Sequence, residues 1–160
     1  MIPTSRRLEH AAGYLALGLV NQASDELEAI EGMDRLSAEV MSARVDLYVT
    51  AKQWDLLLAV SRELARLRPE DEHGWIHWAY ALREMNRVAE AKVVLLEAEP
   101  MHGKTCAALH HNLACYACLL GDNEEAKRRV MEACRLGGEW QKTAREDPDL
   151  KGLWDEPPRK

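Results

Sequence analysis

The stretch that decides the fold is residues 110–133, which read HHNLACYACLLGDNEEAKRRVMEA. Small side chains stand on both sides of Gly121, with Ala114 and Ala117 before it. Ala126 and Ala133 follow it. At intervals of 35, 34 and 34 residues upstream, the position of Ala126 is filled by Ala91, Leu57 and Ala23. A period near 34 residues in a chain rich in helix-forming residues is typical of stacked helical hairpins.

Further columns of small or apolar residues keep the same period. The column seven residues after the first contains Ile30, Leu64, Ala98 and Ala133. The column twelve residues before the first contains Ala11, Val45, Ala79 and Ala114. Columns that stay in step over four copies predict four helical hairpins, at residues 4–34, 35–69, 71–103 and 105–138. Residues 139–156 are predicted to cap the last hairpin, and residues 157–160 to form a tail.

Turn-forming residues mark the ends of the predicted helices. They are Gly18, Asn86 and Gly121 inside hairpins, and Pro69 and Pro100 after second helices. The expected helices cover about residues 5–17 and 22–31, 35–51 and 54–67, 72–85 and 88–97, and 105–120 and 123–136. Asp122, with Glu125 three residues on, predicts a capping box at the start of the last helix. The predicted fold class is all-α.

These residues resemble the repeats of the tetratricopeptide repeat (TPR) family over about residues 4–138. In repeat three the matching residues are Trp75, Ala79, Leu82, Ala91 and Ala98. In repeat four they are His110, Leu113, Ala114, Gly121, Ala126 and Ala133. The resemblance implies an α-solenoid of stacked antiparallel helix hairpins, wound as a right-handed superhelix, whose first helices line a concave groove. Leu57 and Leu64 stand where the family prefers alanine, so the second repeat is expected to be splayed or packed differently.

The repeat pattern stops after Gly138. Asp147-Pro148-Asp149 predicts a turn, and apolar residues at helical spacing follow it. The last repeat of a solenoid has an apolar face that another segment must cover. The residues expected to cover it are Trp140, Leu150, Leu153 and Trp154. This ending is similar to that of many bacterial repeat proteins, and we expect a bacterial protein.

Composition excludes several classes of partner. The net charge is −6, from 21 basic and 27 acidic residues, which argues against nucleic-acid binding. No stretch approaches the roughly 20 apolar residues that a bilayer span needs, so no membrane association is expected. The N-terminus lacks the apolar region of a secretory signal, which predicts a cytoplasmic protein. The four cysteines are accordingly expected to be reduced thiols.

The resemblance also implies a binding surface, because the first helix of each repeat lines the groove. The predicted groove residues are Asp46, His77, Tyr80, Arg83, His111, Asn112 and Cys115. Tyrosine, arginine and imidazole side chains give a peptide flat amphipathic area and oriented hydrogen-bond donors. The expected function is a non-enzymatic scaffold that binds a peptide or helix of an unidentified protein. The chain itself is expected to be a monomer or a weak homodimer.

Two alternatives remain. The class II chaperones of type III secretion are similar in length, acidity and use of these repeats, although they normally have three repeats. A metal site across two repeats is the second alternative, because His73 and His77 stand at i and i+4. Cys115 and Cys118 stand at i and i+3 on the next first helix, with His110 and His111 before them. Buried cysteines without ligands are more common in such helices, so we predict no metal and no cofactor. The sequence contains no motif of a catalytic site, and no enzymatic activity is expected.

Overall fold

The computed structural model describes residues 1–155, and the predicted tail at residues 157–160 lies outside them. Ten α-helices and two 3₁₀ turns occur in residues 1–155, and no strand does, so the predicted all-α class is confirmed. The helices are α1 (Thr4–Ala16), α2 (Val20–Glu28), α3 (Ala38–Thr50), α4 (Trp54–Leu67), α5 (Glu72–Glu84), α6 (Val88–His102), α7 (Ala107–Leu119), α8 (Asn123–Leu136), α9 (Trp140–Glu146) and α10 (Lys151–Trp154). The 3₁₀ turns are Gly32–Leu36 and Pro148–Leu150. Within the described part, no helix is both long and apolar enough to cross a bilayer.

The chain divides into two compact units, Met1–Ala81 and Leu82–Lys160, and the boundary falls inside α5. We call them the N-terminal and C-terminal units. Within the units, α1 packs on α2, α3 on α4 and α7 on α8, and a short turn joins the two helices of each pair. The four small or apolar anchors that define the period have no exposed surface: they are Ala23, Leu57, Ala91 and Ala126.

One backbone turn joins the two helices of every hairpin. A left-handed residue stands at each turn, and the four are Gly18 (φ 72°), Lys52 (φ 54°), Asn86 (φ 61°) and Gly121 (φ 85°). The next residue donates its N–H to the carbonyl five positions back at 2.8–2.9 Å, as Leu19 does to Tyr14 and Gln53 does to Tyr48. This is the hydrogen bond of a Schellman helix end. Glycine and asparagine suit that conformation, whereas Lys52 adopts it at an energetic cost.

Two clusters of buried apolar side chains form the core of the N-terminal unit. Leu27 and Val40 belong to one buried cluster, and Leu57 and Leu64 belong to another. The two leucines that replace the family's alanines are fully buried, at 0% and 1% exposure. Helices α4 and α5 approach each other closely at Gly74. A Cβ added there would lie only 2.5 Å from the Ala65 amide nitrogen.

The C-terminal unit ends in a segment that covers its own last hairpin. Leu150 and Leu153 are 0% and 4% exposed. The Trp154 indole donates its N–H to the Ala144 carbonyl at 3.2 Å, and the Arg145 guanidinium lies 4.5 Å from the centre of the Trp154 ring. We call residues 147–154 the C-terminal segment.

Three helix ends differ from the prediction by three residues or more. Helix α2 ends at Glu28 rather than near residue 31, and α3 begins at Ala38 rather than near residue 35. A 3₁₀ turn separates them, and the Ser37 hydroxyl then caps α3 by accepting from the Val40 amide at 3.3 Å. Helix α6 continues through Pro100 to the buried His102 rather than ending near residue 97. Pro100 stands in the last turn, where its missing N–H removes one helical hydrogen bond.

Only half of the predicted capping box forms. The Asp122 carboxylate accepts from the Glu125 amide at 3.1 Å, as predicted. The Glu125 side chain does not return the hydrogen bond, since it accepts one from Lys92 Nζ at 2.6 Å. Glu125 therefore connects α8 to α6 instead of closing the end of its own helix.

Candidate functional site

The predicted groove residues fall in both units. Asp46 lies on α3, and His77 and Tyr80 lie on the part of α5 that belongs to the N-terminal unit. In the C-terminal unit, Arg83 stands at the end of α5, and α7 carries His111, Asn112 and Cys115. Each unit therefore presents its own candidate surface.

The N-terminal surface combines one exposed carboxylate with half-buried rings. Asp46, whose side chain is 56% exposed, lies with Oδ1 3.3 Å from His73 Nε2. The rings of His73 and His77 are 4.4 Å apart between their centres. Tyr80 packs edge to face on Trp54, with ring centres 5.8 Å apart. We call the set Asp46, His73, His77 and Tyr80 the α3–α5 face.

The two histidines of this face have different electrostatic surroundings. The Asp46 carboxylate, whose Oδ1 lies 3.3 Å from His73 Nε2, raises the pKa of His73 above its usual value. Burial lowers the pKa of His77, because it disfavours the charged ring. His77 Nδ1 lies 2.9 Å from the His73 carbonyl oxygen, to which it donates its proton. The face thus presents a negative charge at Asp46 and a neutral imidazole at His77.

In the C-terminal unit, the C-terminal segment lies over the predicted groove residues. Arg83 donates to the Asp149 carboxylate through both Nε, at 2.8 Å, and an Nη atom. His111 and Cys115 are only 5% and 4% exposed. Asn112 is half-buried. Three of these four residues therefore contact or lie beneath the chain's own carboxyl-terminal part.

Beneath this segment, His111, Cys115 and Asp147 converge. His111 Nε2 donates to Asp147 Oδ2 at 2.8 Å, and Cys115 Sγ lies 3.5 Å from the same oxygen and 3.6 Å from His111 Nε2. The hydrogen bond from His111 lowers the pKa of Asp147. Burial raises the pKa of the Cys115 thiol well above its usual range, so the thiol is protonated.

The sequence did not single out Asp147 and Asp149 as site residues. The motif Asp147-Pro148-Asp149 predicted a turn, and its carboxylates carried no further signal. Their partners are 36 and 66 residues away in the chain, at His111 and Arg83. Only the folded path of the C-terminal segment brings these groups together.

Two members of the His/Cys set considered from the sequence, His111 and Cys115, come together in the C-terminal unit. Among residues 1–155, the group that brings at least three potential metal ligands together is His111, Cys115 and Asp147. His73 and His77 do not belong to it, and one carboxylate replaces the expected second cysteine.

His110 has a structural contact instead. The buried Arg129 guanidinium donates to His110 Nδ1 at 3.1 Å and forms an ion pair with Glu99. Because an arginine can only donate, the ring proton of His110 is on Nε2, which lies 2.7 Å from the Gly103 carbonyl oxygen. His110 therefore holds α7 against the end of α6 and α8.

Comparison with known proteins identifies the fold. No family model matches the sequence, and no curated protein does. Solved structures do match: TTC0263 of Thermus thermophilus, described as a thermophilic TPR protein, has a TM-score of 0.75 and 18% identity over 95% of this chain and 81% of its own. MamA from MSR-1 has a TM-score of 0.70 and 19% identity over 86% of this chain and 79% of its own. MamA from AMB-1 has a TM-score of 0.68 and 19% identity, with coverage of 86% and 74%.

These similarities and the four hairpins agree on one architecture. The chain has a tetratricopeptide-repeat-type fold, an α-helical repeat built of antiparallel hairpins.

Proposed function

We propose that this protein is a non-enzymatic interaction scaffold that binds a peptide or helix of another protein on the first helices of its repeats. The observation that carries the proposal is the α3–α5 face, where charged, aromatic and imidazole side chains meet on two neighbouring first helices. Solenoids use such extended surfaces for binding.

The chemistry of the face indicates the kind of segment that would fit. Asp46 is exposed and offers a carboxylate to a lysine, an arginine or a backbone N–H of the partner. Tyr80 and His77 are half-buried, so they present amphipathic area whose geometry is already fixed by packing. A basic or amide-rich segment is therefore the expected ligand, with an affinity on the order of micromolar because the segment must be ordered on binding.

The residues of the C-terminal unit take a different place in this proposal. Arg83, His111 and Cys115 face the C-terminal segment, so they contribute to partner binding only when that segment is displaced. Asn112 is half-buried, and it remains a proposed contact. The proposal also places the protein in the bacterial cytoplasm, since its four cysteines are free thiols.

The experiment is affinity capture from the native host's lysate, followed by a binding titration with the recovered partner. The test variant is Asp46→Lys combined with His77→Ala, which reverses the exposed charge and removes one ring. The matched control is Glu63→Lys, the same type of charge reversal on α4, at a glutamate 58% exposed. Arg83→Glu is unsuitable because it would set a carboxylate against Asp149.

The expected result is a partner whose affinity falls at least tenfold with the double variant and stays unchanged with Glu63→Lys. Circular dichroism must show the same helicity for all three proteins. A partner bound equally well by the wild type and the double variant would refute the α3–α5 face as the binding surface.

A further inference from the structure

We propose that His111, Cys115 and Asp147 form a zinc site, with a water molecule completing the coordination. The site is independent of the partner-binding proposal, because it lies under the C-terminal segment and needs no second protein. Its three ligand atoms are His111 Nε2, Cys115 Sγ and Asp147 Oδ2.

The distances between these atoms are close to those in a tetrahedral zinc site. In a tetrahedral site, zinc–sulfur and zinc–nitrogen bonds of about 2.3 and 2.05 Å place the sulfur and nitrogen atoms about 3.6 Å apart. A sulfur and an oxygen ligand are about the same distance apart. The observed separations from Cys115 Sγ are 3.6 Å to His111 and 3.5 Å to Asp147. Nitrogen and oxygen ligands of zinc are about 3.3 Å apart. His111 and Asp147 must therefore separate by only about 0.5 Å from their 2.8 Å hydrogen bond.

The three side chains are also held in the orientation that a metal requires. His111 and Cys115 stand four residues apart on one face of α7, as paired ligands on a helix do. Asp147 is fixed by its other oxygen, Oδ1, which accepts from the Asp149 amide at 2.9 Å. That hydrogen bond leaves Oδ2 directed at the two α7 side chains, and ligands supported in this way bind metals better than free ones.

The donor set selects the metal. One thiolate, one imidazole and one carboxylate suit zinc, whereas magnesium and calcium prefer oxygen ligands alone. On binding, the cation replaces the Cys115 thiol proton and the His111 Nε2 proton at the site. The thiol proton leaves to solvent, and the imidazole stays neutral by carrying its proton on Nδ1.

The lack of a hydrogen-bond partner at His111 Nδ1 limits the affinity for zinc. His111 Nδ1 is buried and has no hydrogen-bond partner in the described structure, so the ring proton it would carry is unpaired. Loss of such a supporting partner costs about 10–100-fold in metal affinity. We therefore expect a dissociation constant of about 1 μM, weaker than that of four-ligand structural zinc sites.

The experiment is a titration of the full chain with zinc or cobalt alone, in a non-thiol reductant. Zinc affinity is measured by competition with a chromogenic chelator, and cobalt binding by the thiolate-to-cobalt charge-transfer band. The test variants are Cys115→Ser and Asp147→Asn. The matched control is Cys134→Ser, which removes a cysteine of α8 outside the group.

The expected result is one zinc per chain, a charge-transfer band that Cys115→Ser abolishes, and an affinity at least tenfold weaker in both test variants. Cys134→Ser should bind as the wild type does. Melting without metal shows whether each variant folds, and the wild-type cobalt band tests thiolate ligation without any variant. The absence of that band in wild type, or zinc binding that survives Cys115→Ser unchanged, would overturn the proposal.

Discussion

The close helix contact at Gly74 in the N-terminal unit makes Gly74→Ala the sharpest test of the packing. Gly74 lies in the first turn of α5, and α4 passes directly against it. An added Cβ would be 2.5 Å from the Ala65 amide nitrogen and 2.9 Å from its Cα. Ordinary contact begins at 3.4 Å, and the obstacle is backbone, so the two helices must move apart.

The expected cost follows from two opposing effects. Alanine favours a helix over glycine by up to about 1 kcal/mol. Overpacking of a tight core costs about 1–3 kcal/mol, and backbone contacts belong at the upper end. The net loss in the free energy of unfolding is therefore about 2 kcal/mol, which lowers the Tm of a chain this size by about 4–8 °C.

The assay is urea unfolding followed by far-ultraviolet circular dichroism, with Gly13→Ala as the control. Gly13 is a helical glycine of α1 where an added Cβ would meet nothing within 4 Å. Gly13→Ala should raise the midpoint, because only the helix preference acts there. A Gly74→Ala midpoint equal to or above that of wild type would refute the close approach of α4 and α5.

Three further outcomes follow from the structure. Lys52→Gly should raise the free energy of unfolding by about 0.5–1 kcal/mol in urea titrations, because Lys52 is left-handed, whereas Lys52→Ala should not. Asp46→Asn should lower the pKa of His73, measured by NMR titration of the ring. An unchanged pKa would show that the Asp46 carboxylate does not act on that ring. Since folding raises that pKa, wild type should exceed Asp46→Asn in stability most clearly below about pH 6.5, and the difference should fade as pH rises through the folded pKa of His73. Arg83→Ala should lower the free energy of unfolding by about 1–2 kcal/mol, because Asp149 loses its partner. Hydrogen exchange of the α10 amides should then accelerate. Protection equal to that of wild type would show that the ion pair does not hold the C-terminal segment.

The repeat period was sufficient to predict the core. A helix that meets its neighbour at the same point in every hairpin needs a small or apolar residue there, and that requirement recurs in the sequence every 34 or 35 residues. Ala98 and Ala133 are each 1% exposed, as the second column predicts. The turn at Lys52 was also predicted, between helices at residues 35–51 and 54–67, although no glycine or asparagine stands there.

The contacts of the candidate sites could not be predicted in the same way. Hydrophobic periodicity places residues on a helix face, and it carries no information about which distant segment covers that face. Arg83 was expected to face a groove, and its carboxylate partner Asp149 lies 66 residues further along the chain. The last turn of α6 was missed because a proline was taken as the end of the helix, whereas the helix continues through Pro100 to the buried His102.

The repeated hairpin turn also has a consequence for how the protein folds. Each turn closes through a hydrogen bond between residues five positions apart, and the second helix of each hairpin carries a fully buried anchor. Contacts so local in sequence form quickly, because little loop entropy is lost. Folding can therefore start in any of the four hairpins and spread to its neighbours, so that a defect in one hairpin slows folding there without blocking the others.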